Sequence, residues 1–79
     1  SGIHLVVGTE NEIHHLRVDI LSLKGELVKN LFSATPETSI LNMRWDGTDS
    51  ELMPVSSGTY IVNISGPTMS HSKAITIIQ

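Results

Sequence analysis

Val18-Asp19-Ile20-Leu21-Ser22-Leu23-Lys24-Gly25-Glu26-Leu27-Val28-Lys29-Asn30-Leu31 is the stretch that decides the fold class. Leu16, Val18 and Ile20 alternate with Arg17 and Asp19, which places the two sets on opposite faces of a strand. Leu23-Lys24-Gly25 sits where a hairpin turns, and Gly25 is free to take a positive φ. Leu27, Val28, Leu31 and Phe32 then form a second apolar segment of less regular period. The whole reads as strand, glycine turn, strand.

The same pattern extends outward in both directions. Ile3, Leu5 and Val7 alternate with His4 and Val6, and Leu41, Met43 and Trp45 with Asn42 and Arg44. Tyr60, Val62 and Ile64 repeat it, although Ile61 breaks the polar side. Ala74 to Ile78 is apolar on nearly both faces, as in a last strand completing a sheet or in a docking edge. Between these runs lie turn signals: Gly8 to Glu12, Ser33 to Thr38 with Pro36, Asp46-Gly47-Thr48-Asp49, Ser56-Ser57-Gly58 and Gly66-Pro67. Leu52 to Val55 reads as a short edge strand, since Pro54 donates no ladder hydrogen bond. Glu10 to Leu16 has room for one helical turn. Strand candidates spaced in this way, seven in number, predict an all-β antiparallel sandwich or barrel. Its expected core is Leu5, Val7, Val18, Ile20, Val28, Leu31, Leu41, Met43, Trp45, Tyr60, Val62, Ile64, Ile75 and Ile77. Trp45, directly before Asp46-Gly47, is expected to plug one end.

Composition narrows the function. A chain of 79 residues holds one domain and one thin core, so a deep, water-excluding catalytic cavity is not expected. Net charge is −3, with five Lys and Arg in total, which argues against nucleic acid as a partner. The chain has no cysteine, hence no disulfide framework and no thiolate metal site. No apolar run approaches the roughly 20 residues of a membrane-spanning helix.

The residues that carry chemistry do not assemble into a catalytic pattern. His14 and His15 are adjacent and face opposite sides of any strand, and His4 and His71 would meet only by strand pairing. Asp46, Asp49 and Glu51 lack calcium-loop spacing. They fit a turn in which the carboxylates of Asp46 and Asp49 accept backbone N–H bonds. There is no nucleophile elbow and no phosphate loop. Asn63-Ile64-Ser65 matches a glycosylation acceptor but falls inside an expected strand. The expectation is a non-enzyme without metal or cofactor.

The stretch quoted first is followed by Trp45-Asp46-Gly47-Thr48-Asp49 and by Val55-Ser56-Ser57-Gly58-Thr59-Tyr60-Ile61-Val62. This series resembles the FlgD-type immunoglobulin-like domain and its relative, the C-terminal sorting domain of the type IX secretion system. The resemblance covers about residues 3–78. It implies a seven-stranded immunoglobulin-like β-sandwich in which Gly25, Trp45, Asp46, Gly47, Gly58 and Tyr60 are scaffold positions. It implies that residues 1–79 are one domain, the C-terminal domain of a larger protein. A sorting domain implies a bacterial cell-surface or outer-membrane location, with the outer-membrane translocon and a surface sortase as partners. Anionic lipopolysaccharide is the ligand such machinery handles. The family usually ends in a basic residue after its last strand, whereas here the last residues are Ile77-Ile78-Gln79. That departure sets a retained domain against a cleaved one. On this reading Lys73, Ala74, Ile75, Thr76, Ile77 and Ile78 are the docking candidates. Lys24, Lys29, Arg44 and Ser70, with Lys73, are candidates for glycan contact. A FlgD-type reading implies instead a structural module without an export role. In either case an apolar terminal strand allows a dimer by edge pairing or strand swapping.

Overall fold

The computed structural model describes residues 2–9 and 14–79. Six strands run along them: β1 (Ile3–Gly8), β2 (Leu16–Leu21), β3 (Leu27–Ala34), β4 (Ile40–Trp45), β5 (Gly58–Ser65) and β6 (Ser70–Ile77). No helix occurs among the described residues. Of the helical turn expected at Glu10–Leu16, residues 10–13 lie outside the description, and Leu16 opens β2. All ladders are antiparallel. Strands β3-β2-β5-β6 form a four-stranded sheet and β1-β4 a two-stranded one. The fold is all-β and sandwich-like.

Register follows from the alternation. Val18 lies opposite Ile64 and Ile20 opposite Val62. Tyr60 lies opposite Ile75, and Val62 opposite Lys73. On the smaller sheet Ile3, Leu5 and Val7 face Trp45, Met43 and Leu41. These positions form the inner faces, and Val18, Ile20, Trp45, Val62 and Ile77 are the buried centre between them. Leu5, Val28, Leu31, Met43, Tyr60, Ile64 and Ile75 pack against that centre while only partly buried. Leu41 is half-buried. Leu16, outside the expected core, is buried at the start of β2.

The irregular period of β3 has a structural cause. The β2–β3 register slips between Val18 and Asp19 and again between Ile20 and Leu21, so Leu31 and Val28 have no partner across the ladder. Each slip is a bulge that adds a residue to β3, bends it and increases its twist.

The expected seventh strand at Leu52–Val55 does not form; only Pro54 pairs, in an isolated bridge with Thr48. The Asp49 carboxylate accepts the N–H groups of Glu51 at 2.9 Å and Met53 at 3.1 Å, and so draws the segment into a turn. Leu52 sits in that turn at φ +67°. The last strand also begins earlier than its apolar run, at Ser70 rather than Ala74.

Candidate functional site

The two sides of the sandwich are finished differently. On the β3/β4 side, the chain after Trp45 folds over the gap. Gly47 turns it at φ +79°. Asp46 Oδ1 accepts the Thr48 N–H at 3.1 Å and the Thr48 hydroxyl at 2.6 Å. These bonds, followed by the nearby Lys29 charge, hold the Asp46 carboxyl below its ordinary pKa. Lys29 Nζ, from β3, donates to Thr48 Oγ1 at 2.8 Å and lies 3.6 Å from Asp46 Oδ1. Ser50 Oγ donates to the Val28 carbonyl at 3.1 Å. Under this loop Trp45 is fully buried, its Nε1 donating to the Thr48 carbonyl at 2.9 Å. Its ring meets Tyr60 edge-on, with centroids 5.3 Å apart. The Tyr60 hydroxyl donates back to the Ser56 carbonyl at 2.7 Å. Trp45 plugs the end of the sandwich as expected.

Gln79, just after β6, bolts onto the same loop. Gln79 Nε2 donates to the Gly47 and Val55 carbonyls, each at 2.9 Å, and Gln79 N–H donates to Ser57 Oγ at 2.8 Å. A Cβ on Gly47 would stand 2.6 Å from Ile77 Cδ1, so a glycine is needed for close approach as well as for the turn.

The β1/β6 side is open. Strands β1 and β6 are edges of different sheets and do not pair. Between them lies a groove of about 280 Å³, lined by β1 from Ile3 to Val7 and by Val62, Ile64, Lys73 and Ile75. Of its lining, Ile3, Leu5, Ile64 and Ile75 are half-buried inner-face residues, Val7 and Val62 are buried at its floor, and Lys73 is exposed; none of the described strands covers it. Lys73 shares the inner face of β6 with Ile75 and Ile77. Among the described residues no acidic side chain forms an ion pair with it.

No protein-family model, curated protein or solved structure matches the chain.

The docking candidates on β6, and Ile78 just after it, divide by face. Lys73 and Ile75 line the groove, whereas Ile77 is committed to the core and Ile78 is exposed. Ala74 and Thr76 are exposed on the alternate, outer face. The glycan candidates are not brought together. Lys24 is exposed in the β2–β3 turn, and Lys29 is tied to Thr48. Arg44 is on the smaller sheet, with His4 opposite. Ser70 pairs with Ser65, at the end of the larger sheet away from the β2–β3 turn.

The histidines are likewise dispersed. His4 and His71 belong to different sheets, and His15 Nε2 hydrogen-bonds Ser33 Oγ at 2.8 Å. Among the described residues no three His, Cys, Asp or Glu gather in a metal-binding group. The buried Asp19 accepts Arg17 Nη2 at 3.0 Å and Asn30 Nδ2 at 2.8 Å, so its charge is matched on the outer face of the sheet.

Sequence reasoning missed the groove and the Gln79 clamp. One signal was present: Lys73 has the parity of Ile75 and Ile77, which marks it as an inward-facing cation. A lone glutamine after an apolar strand carries no such signal.

Proposed function

We propose that this chain is an immunoglobulin-like recognition module, non-enzymatic, that serves as a type IX secretion sorting and surface-anchoring domain. The observation that carries the reading is the placement of the motif series. Gly25 turns the β2–β3 hairpin at φ +86°, and Trp45-Asp46-Gly47 closes one end of the core beneath the Gln79 clamp. The immunoglobulin-like assignment is supported by strand order. β3-β2-β5-β6 against β1-β4 corresponds to strands C′-C-F-G against B-E. It is also supported by Tyr60, whose bond to Ser56 has the form of the tyrosine corner at the start of strand F.

On this reading the partners are the outer-membrane translocon and the surface sortase, and the working location is the bacterial surface. One family member that fits this reading is PorZ, a sortase-machinery component that keeps its C-terminal domain, which would add lipopolysaccharide handling. The FlgD-type structural module is the second reading; it is favoured by the same scaffold positions, which set a fold without setting a partner.

Removal of Ser72–Gln79 from the parent protein separates the two. A sorting domain predicts retention in the periplasm. Normal surface display of a truncated parent, with the rest of the protein folded, would leave the structural module. The intact mass of the surface-displayed parent then decides between a cleaved and a retained domain.

A further inference from the structure

The geometry points to the β1/β6 groove as the seat of an extended segment from a partner protein, apolar on one face and carrying a carboxylate for Lys73. Two features make it a strand seat rather than a pocket for a small molecule. It is long and follows β1 from Ile3 to Val7. Both strands that border it are sheet edges, each with an unpaired row of backbone donors and acceptors. Added strands bind such edges through main-chain hydrogen bonds, with alternate side chains filling the apolar wall. In the strand order of an immunoglobulin-like sandwich, this is the place beside B and G where strand A runs.

Lys73 decides what kind of segment fits. It stands in the apolar wall opposite Val62, with Ile75 next to it on the same face. An inward-pointing charge on an edge strand rejects a wholly apolar strand, which would bury the ammonium without a partner. The same charge selects a strand that brings a carboxylate.

A second copy of this chain does not meet that requirement. Every edge strand of the two sheets (β1, β3, β4 and β6) lacks Asp and Glu, so none supplies the counter-charge. Pairing of two β6 edges would bring two copies of Lys73 toward the same seam. None of the described edge strands supplies the acid, and the occupant assigned to the groove is an acid-bearing strand of a partner protein. This rests on strand order and charge, and it does not depend on the export reading.

The test is a titration of the isotope-labelled protein followed by amide chemical shifts. The probes are two capped heptapeptides, Thr-Val-Thr-Val-Glu-Val-Thr and the same peptide with Lys in place of Glu. Perturbations are expected along Ile3–Gly8 and Ser70–Ile77, with the Glu peptide binding about tenfold more tightly. Lys73→Glu should reverse that order while its circular dichroism and melting temperature stay close to those of the parent. The proposal is overturned if neither peptide perturbs these strands up to about 5 mM, a range that captures weak strand addition. It is also overturned if the Lys73→Glu change leaves the preference intact, or if sedimentation shows the groove already closed by a second copy. A flat titration would leave the export reading standing, and a failed localisation experiment would leave this one standing.

Discussion

The β3/β4 side and the β1/β6 side of this sandwich have the same raw material and different outcomes. Both are margins between the two sheets, and both have half-buried aliphatic residues on their inner faces. On the β3/β4 side a loop of alternating turns and hydroxyls spans the gap, fastened by Lys29, Thr48 and Ser50. On the β1/β6 side no loop among the described residues spans the gap, and the wall of Ile3, Leu5, Ile64 and Ile75 stays half-buried along a groove. Hydrophobic alternation builds the faces of a sandwich, but strand order and loop placement decide which margins close. The open margin is where the proposed strand has room to add.

The comparison can be broken or sharpened by substitution. The largest effect belongs to the closed end. Trp45→Ala should cost about 3–5 kcal/mol, a large share of a small domain's stability, read from denaturant unfolding. An unchanged midpoint would mean that the loop, not the ring, closes that end. A paired truncation tests the two margins directly. Ile20→Ala, at a fully buried centre, should cost about 2–5 kcal/mol, and Ile75→Ala, on the groove wall, clearly less. Equal losses would show that the groove wall is as well packed as the core.

Gly47→Ala comes next, at roughly 1–3 kcal/mol, because it strains a positive φ and drives a methyl into Ile77. The Asp46→Asn variant probes the loop through pH. The carboxyl titrates below its ordinary value when folded, chiefly through its Thr48 bonds. Its stabilisation is therefore present above the unfolded pKa and lost as pH falls through the folded one. The parent should lose stability more steeply than Asp46→Asn below about pH 4 in acid unfolding curves. The smallest effect is a gain: Leu52→Gly relieves a left-handed residue that is exposed, and should raise stability by roughly 0.5–1 kcal/mol.

Much of this architecture was legible in the residues, and the failures have physical reasons. Alternation located the six strands that form, and the uneven spacing of Leu27, Val28, Leu31 and Phe32 was the trace of two bulges. The segment Leu52–Val55 had the composition of an edge strand, but Asp49 captured its N–H groups first. Turn chemistry over a few residues outweighed apolar content there. The carboxylates of Asp46 and Asp49 were legible as turn acceptors, and both serve in that way. The groove was not legible, because Leu5, Ile64 and Ile75 have the pattern of covered core residues whether or not a strand covers them. The scatter of Lys24, Lys29, Arg44 and Ser70 was equally hidden, since it depends on which strands become neighbours.

Amide hydrogen exchange resolved by residue is the most direct test that one margin is closed and the other open. β1 is held by β4 alone, and β2 and β5 lie in the middle of the larger sheet. The β1 amides bonded to β4 are expected to exchange through a local opening, at a free energy well below that of β2 and β5 amides, which should exchange only on global unfolding. Protection of β1 equal to that of β2 and β5 would contradict an open margin and would mean that the β1/β6 side is already closed in solution.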